Sequence, residues 1–138
     1  MADVKAGKTR HTLKNPGGNV DSVCFSSDGR TLASEGDDAT IRLWDVASGK
    51  EQAAFKKLEY SVLAVAISPD SRTLVSGGGD SPIRVWDLAS GKEKATLPGH
   101  RSSVVALAFS SDGRTMVSGS LDGTVKLWDV PATREPEK

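Results

Sequence analysis

Leu43-Trp44-Asp45-Val46-Ala47-Ser48-Gly49-Lys50 returns as Val85-Trp86-Asp87-Leu88-Ala89-Ser90-Gly91-Lys92. A third pair, Trp128-Asp129, follows, so Trp-Asp stands at positions 44, 86 and 128, at equal intervals. The register extends outward without insertion. Val20, Val62 and Val104 match, as do Ser26, Ser68 and Ser110, then Asp28, Asp70 and Asp112. Arg30-Thr31, Arg72-Thr73 and Arg114-Thr115 follow in step. Gly7-Lys8 opens the first unit as Gly49-Lys50 and Gly91-Lys92 open the others. Three units, 7–48, 49–90 and 91–132, fill almost all of the 138 residues. A fixed period of this length is the mark of a repeat architecture.

Each unit reads as short strands separated by tight turns. Val104-Val105-Ala106-Leu107-Ala108-Phe109 is an apolar run of buried-strand length. Ser111-Asp112-Gly113-Arg114 is a turn signal, Thr115-Met116-Val117-Ser118 a second strand, and Leu121-Asp122-Gly123 a second turn. Thr124-Val125-Lys126-Leu127-Trp128 alternates, as a half-exposed strand does. The stretch before it in the repeat, Lys94-Ala95-Thr96-Leu97, predicts a short outer strand. Four short antiparallel strands per unit, with no helical periodicity, predict an all-β chain of three four-stranded blades, part of a β-propeller.

Composition narrows the chemistry. Lys+Arg and Asp+Glu are 18 each, so the net charge is zero and gives no pull toward nucleic acid or an anionic membrane. Lys5, Lys8, Arg10, Lys14, Lys56 and Lys57 are scattered with few aromatics between them, which reads as solvated surface. One cysteine, Cys24, excludes an intrachain disulfide, and its neighbours Val23 and Phe25 make it a small core residue. Neither a metal-ligand spacing nor a cofactor motif is present. Gly77-Gly78-Gly79 lacks the Gly-Lys-Ser/Thr ending and the helix of a phosphate loop, so it reads as a strand-to-turn passage. No apolar run has transmembrane length, and the first residues lack a signal peptide's apolar middle, so a cytoplasmic setting is expected.

With three Trp-Asp pairs in register over residues 7–132, the chain resembles the WD40-repeat family of β-propellers, in wording its bacterial members above all. The resemblance implies a structural relay in each blade running His, Ser, Asp and Trp. The third unit matches all four: His100, Ser118, Asp122 and Trp128. Ser34, Asp38 and Trp44 match without the His, where Pro16 stands. Ser76, Asp80 and Trp86 likewise match, with Leu58 in the His position. Those two blades are expected to be less rigid. A relay that includes the indole also accounts for Ser, His and Asp without a hydrolytic triad.

The resemblance further implies a non-enzymatic scaffold whose top face holds peptides or proteins. By alignment to the family pattern the candidate positions are Asn19, Asp21, Asp37, Ser61, Leu63, Gly79, Ser103, Val105 and Leu121. None is aromatic or Arg, the usual hot-spot types, so a face that is merely solvated is an equal reading.

The two ends of the repeat do not match. Asp3-Val4 aligns with Asp45-Val46, so residues 9–14 (Thr9, Arg10, His11, Thr12 and Leu13 among them) predict an outermost strand without a blade. The third blade, ending at Trp128-Asp129, lacks such a strand. Three blades cannot close a ring, whereas copies of the chain can, through a head-to-tail contact. The expectation is a homo-oligomer in which residues 9–14 of one chain pair with 124–129 of the next, including Val125 and Leu127. Two chains give six blades and three give nine. Because six-blade rings are unusual in the family it resembles, the trimer is preferred. The alternative is a fragment or engineered block of a longer propeller whose only activity is assembly. Residues 133–138 are a polar tail.

Overall fold

A computed structural model describes residues 2–3, 7–14, 18–36, 38–55, 61–79 and 82–130, with Ala2 and Asp3 described as backbone alone. Strands β1 (Ala2–Asp3) and β2 (Lys8–Thr9) form a short hairpin. The first blade is the meander β3 (Val20–Phe25), β4 (Thr31–Gly36), β5 (Ile41–Asp45) and β6 (Glu51–Phe55). The second repeats it as β7 (Val62–Ile67), β8 (Thr73–Gly78), β9 (Ile83–Asp87) and β10 (Glu93–Leu97). The third carries β11 (Val104–Phe109), β12 (Thr115–Ser120) and β13 (Val125–Asp129), without a fourth strand among the described residues. No helix of the described residues is long and apolar enough to cross a membrane.

The propeller fold read from the repeat is thus present, and the blades are staggered against the sequence units. Unit 49–90 begins in the outer strand of one blade and ends after the third strand of the next. Each innermost strand is also irregular at the same place, between Val20 and Ser22, Val62 and Ala64, and Val104 and Ala106. One extra residue there bends the strand and increases its twist.

The turn from first to second strand is built by a serine and an aspartate. Ser26 donates its hydroxyl to Asp28 Oδ1 at 2.6 Å, and Asp28 accepts the Arg30 amide at 2.9 Å. Ser68–Asp70 and Ser110–Asp112 repeat both bonds. Gly29 (φ 72°) and Gly113 (φ 74°) take the left-handed position in this turn, but the second blade places Ser71 there at φ 62°. Ala39 (φ 60°) likewise stands where the third blade has Gly123 (φ 88°). A Cβ in that region is strained.

Two apolar clusters hold the blades face to face. One joins Ala33, Ile41, Leu43 and Phe55 of the first blade to Val65, Ile67, Leu74 and Trp86 of the second. The other joins Ala66, Val75 and Ile83 to Val104 and Met116 of the third. Phe55 stacks on Trp86 with ring centroids 5.5 Å apart. Gly77 sits so close to Val104 that a Cβ would lie 2.6 Å from its Cγ1.

The N-terminal stretch departs from expectation. Strand structure covers only Lys8–Thr9, and residues 10–14 belong to no strand. A strand needs a ladder partner, and in the single chain β2 finds only Ala2–Asp3. Residues 11–14 still alternate, His11 and Leu13 half-buried, Thr12 and Lys14 exposed. His11 lies over Gly49, where a Cβ would come within 2.9 Å of its ring, and its Nε2 is 3.1 Å from the Ala47 carbonyl.

Candidate functional site

The relay of the third blade is assembled from three of its segments. Trp128 on β13 donates its indole N–H to Ser118 Oγ at 2.8 Å. Ser118, on the neighbouring β12, is fully buried at 0% exposure, and its Oγ lies 2.6 Å from His100 Nε2. His100 Nδ1 is 3.0 Å from Asp122 Oδ2. With the serine oxygen taken by the indole, its proton is free for Nε2, and Nδ1–H then points to the carboxylate. Asp122 also accepts the Thr124 hydroxyl at 2.6 Å and the Arg101 amide at 2.9 Å. The Thr124 hydroxyl and the Arg101 amide, with His100, hold its carboxyl far below the ordinary carboxylate range. The serine is thus enclosed, its oxygen held by the indole and its proton facing the imidazole.

The first two blades keep the indole end of the relay. Trp44 donates to Ser34 at 2.8 Å and Trp86 to Ser76 at 2.9 Å. Asp38 turns to Arg42 instead, Oδ2 to Nη1 at 3.0 Å, and accepts the Thr40 amide at 3.2 Å. Arg42, itself buried, reaches on to Glu51 at 3.5 Å. In the first blade the turn carboxylate is therefore engaged in an ion pair rather than in the relay. Reading Arg42, Arg84 and Lys126 as one repeat position would have found it. Pro16, Leu58 and Asp80 lie outside the described residues, as do Asp37 and the tail 133–138.

The aspartates of the first two Trp-Asp pairs hold the loops that follow them. Asp45 accepts the Ser48 hydroxyl and amide at 2.7 and 2.9 Å, closing the loop into β6. Asp87 accepts the Ser90 amide at 2.9 Å. Ser48 and Ser90 hold these two carboxyls below their usual value, as Ser26 does for Asp28 and Ser110 for Asp112. Burial pushes the Cys24 thiol up to about 11, so it stays protonated.

Several of the top-face candidates share one rim. The Gly79 amide donates to the Ser61 carbonyl at 3.1 Å, and the Leu121 amide to the Ser103 carbonyl at 2.9 Å. Asn19, Asp21, Ser61, Gly79, Val105 and Leu121 are exposed, Leu63 and Ser103 half-buried. Below the rim, β3, β7 and β11 line a groove of about 430 Å³ from Asp21–Phe25, Leu63–Ile67 and Val105–Ala108. Among the described residues no group of three or more His, Cys, Asp and Glu could hold a metal ion.

The ends of the row carry the largest exposed apolar side chains. Val125 and Leu127 on β13 are 72% and 74% exposed, and Val23 and Phe25 on β3 58% and 53%. Within one chain the candidate inter-chain residues do not meet. His11 packs on the first blade, while Val125 and Leu127 stand at the far side of the third.

A family model described as WDR90, 4th beta-propeller, matches residues 19–134. The chain is also similar to two solved structures. One, titled Crystal structure of RRP9 WD40 repeats, is 29% identical with a TM-score of 0.80 over 86% of this chain and 37% of that one. The other, Structure of U3-55K, is 29% identical with a TM-score of 0.81 over 86% of this chain and 38% of that one. This chain therefore spans little more than a third of the length of these structures. No curated protein matches it. The fixed repeat period, the Trp–Ser bond in every blade, the full relay of the third and these likenesses lead to one conclusion: the chain belongs to the WD40-repeat β-propeller family.

Proposed function

We propose that the chain is a non-enzymatic protein-interaction scaffold whose working form is a ring closed by copies of itself, the nine-blade trimer ahead of the six-blade dimer. The observation that carries this is the mismatch between internal and terminal blade faces. Ile41 and Ile83 are fully buried between blades, while Val125 at the same repeat position is 72% exposed. Val65 is 4% exposed, and its counterpart Val23 is 58% exposed. The first pair lies on the side of a blade facing the next, the second on the side facing the previous one. The two open ends are thus the two halves of an interface the chain already forms twice. Such a head-to-tail contact closes when the rotation per step divides the circle.

Light scattering on a sizing column tests it. One chain has a mass of 14.5 kDa; twice that mass would be the dimer, and three times the trimer. A soluble 14.5 kDa species across the accessible concentrations would overturn self-assembly. That result would instead support a second reading, in which a longer propeller supplies the remaining blades. The 37% and 38% coverage of the matched structures favours this second reading. Deleting residues 1–14 should lower the assembly state or cause aggregation, and an unchanged mass would count against the strand exchange. The rim around Ser61, Gly79, Ser103 and Leu121 is the proposed seat for a peptide or protein. Capture of a partner that survives rim substitutions would move the site elsewhere.

A further inference from the structure

We propose that the outer edge of β13 takes residues 9–13 of a second copy in one defined register, and that Ala2–Asp3 is a built-in competitor that must leave first. This rests on the self-assembly reading and adds the pairing and its control.

The register is written twice inside the chain. In the first blade Ile41 pairs with Phe55, Arg42 with Ala54, Leu43 with Ala53 and Trp44 with Glu51. In the second, Ile83 pairs with Leu97, Arg84 with Thr96, Val85 with Ala95 and Trp86 with Glu93. One more repeat step, taken across the chain boundary, pairs Val125 with Leu13, Lys126 with Thr12, Leu127 with His11 and Trp128 with Thr9. Among the described residues β13 has no partner on that edge. Leu13 takes the repeat position of Phe55 and Leu97, both of which pack between blades. It is half-buried, and Thr12 beside it is exposed, as a strand lying against the first blade requires.

The competitor comes from the same comparison. Ala2 pairs with Thr9, and Asp3 with Lys8. Shifted by one repeat, the first pair is Trp44 with Glu51. Gly7 (φ 68°) turns this hairpin as Gly49 and Gly91 (both φ 73°) turn theirs. Ala2–Asp3 therefore occupies in one chain the place that Trp128–Asp129 of a second copy would take. The hairpin is held by two residue pairs only, whereas the exchanged ladder has four, together with burial of Val125 and Leu127.

Cysteine pairs in the full chain test the register. His11→Cys with Leu127→Cys, and separately Leu13→Cys with Val125→Cys, should cross-link between chains under mild oxidation and part on reduction. Directly opposed residues fall within disulfide reach. Thr12→Cys with Leu127→Cys places the thiols on opposite faces and should not link. Cys24 is common to all variants. Adding Asp3→Pro, which cannot donate to a ladder, should raise the cross-linking rate about fivefold, the weight of about one hydrogen bond. The mass of each reduced variant keeps the readings apart. A single-chain mass removes the assembly reading itself. A multiple mass with neither opposed pair linking, or with the slipped pair linking as well, overturns the register alone. An unchanged rate with Asp3→Pro overturns the competitor.

Discussion

The second blade and the third share their sequence pattern but not their surroundings. Every residue of β8 is buried, whereas β12 alternates between buried and half-buried and β13 between half-buried and exposed. Trp86 is buried against Phe55, while Trp128 is only half-buried although its relay is the more complete. Hydrogen-bonded completeness and apolar burial are therefore separate properties of a blade. The relay is set by four residues of the blade itself, and burial is set by whether a neighbour stands on each side.

One substitution made twice bears most directly on that distinction. Ile83→Ala empties a fully buried position and should cost about 2–5 kcal/mol in chemical unfolding. Val125→Ala, at the same repeat position, should change the stability of a dilute chain by less than about 0.5 kcal/mol. Under the proposed self-assembly it should also weaken association, and equal costs at both positions in dilute solution would contradict the open face.

His100→Ala probes the other side of the contrast. It leaves the buried Ser118 hydroxyl proton without its acceptor, while Asp122 Oδ2 keeps the Arg101 amide, and should cost about 1–3 kcal/mol in thermal unfolding. A loss near zero would mean that the third blade gains nothing over its His-less neighbours.

Smaller and of opposite sign is the effect of glycine at the two strained turns. Ala39→Gly and Ser71→Gly should each stabilise by about 1 kcal/mol, since the third blade already uses Gly123 and Gly113 there. A lower melting temperature for either would show the turn to be unstrained.

Acid acts on several groups at once. Asp28, Asp45, Asp87, Asp112 and Asp122 all hold their protons less tightly when folded than the usual value of 3.8. The unfolded chain binds more protons, so their stabilisation is present above about pH 4 and fades as the pH falls through the lower folded values. Melting temperature should drop with acid below that point, and Asp112→Asn should flatten the drop.

Much of this was legible in the sequence because the repeat never varies in length. Aligning the units gives the strand order and the turn serines and aspartates, and the resemblance to the WD40 family adds the Trp–Ser pairs and the full relay at His100. What escaped was of two kinds. The Asp38–Arg42 ion pair arises because, without an imidazole, a carboxylate turns to the nearest cation, and that cation sits one helical-turn's length of chain further on, at the start of the third strand. The shortening of the N-terminal strand to Lys8–Thr9 arises because a ladder is a property of two strands, and one chain supplies only Ala2–Asp3 as the second. The strained φ at Ser71 and Ala39 was readable in principle from Gly113 and Gly123, since one unit shows what backbone the others must adopt.

The offset between sequence unit and blade also has a kinetic side. Each fourth strand pairs within one blade and is followed along the chain by the first strand of the next, so neighbouring blades cannot slide apart while that outer strand stays paired. Separation must first unzip a ladder, a step with a high barrier whatever the net affinity. A seam between copies built on the same offset would let go slowly: rings mixed from labelled and unlabelled chains would exchange subunits over a time set by strand unpairing rather than by diffusion.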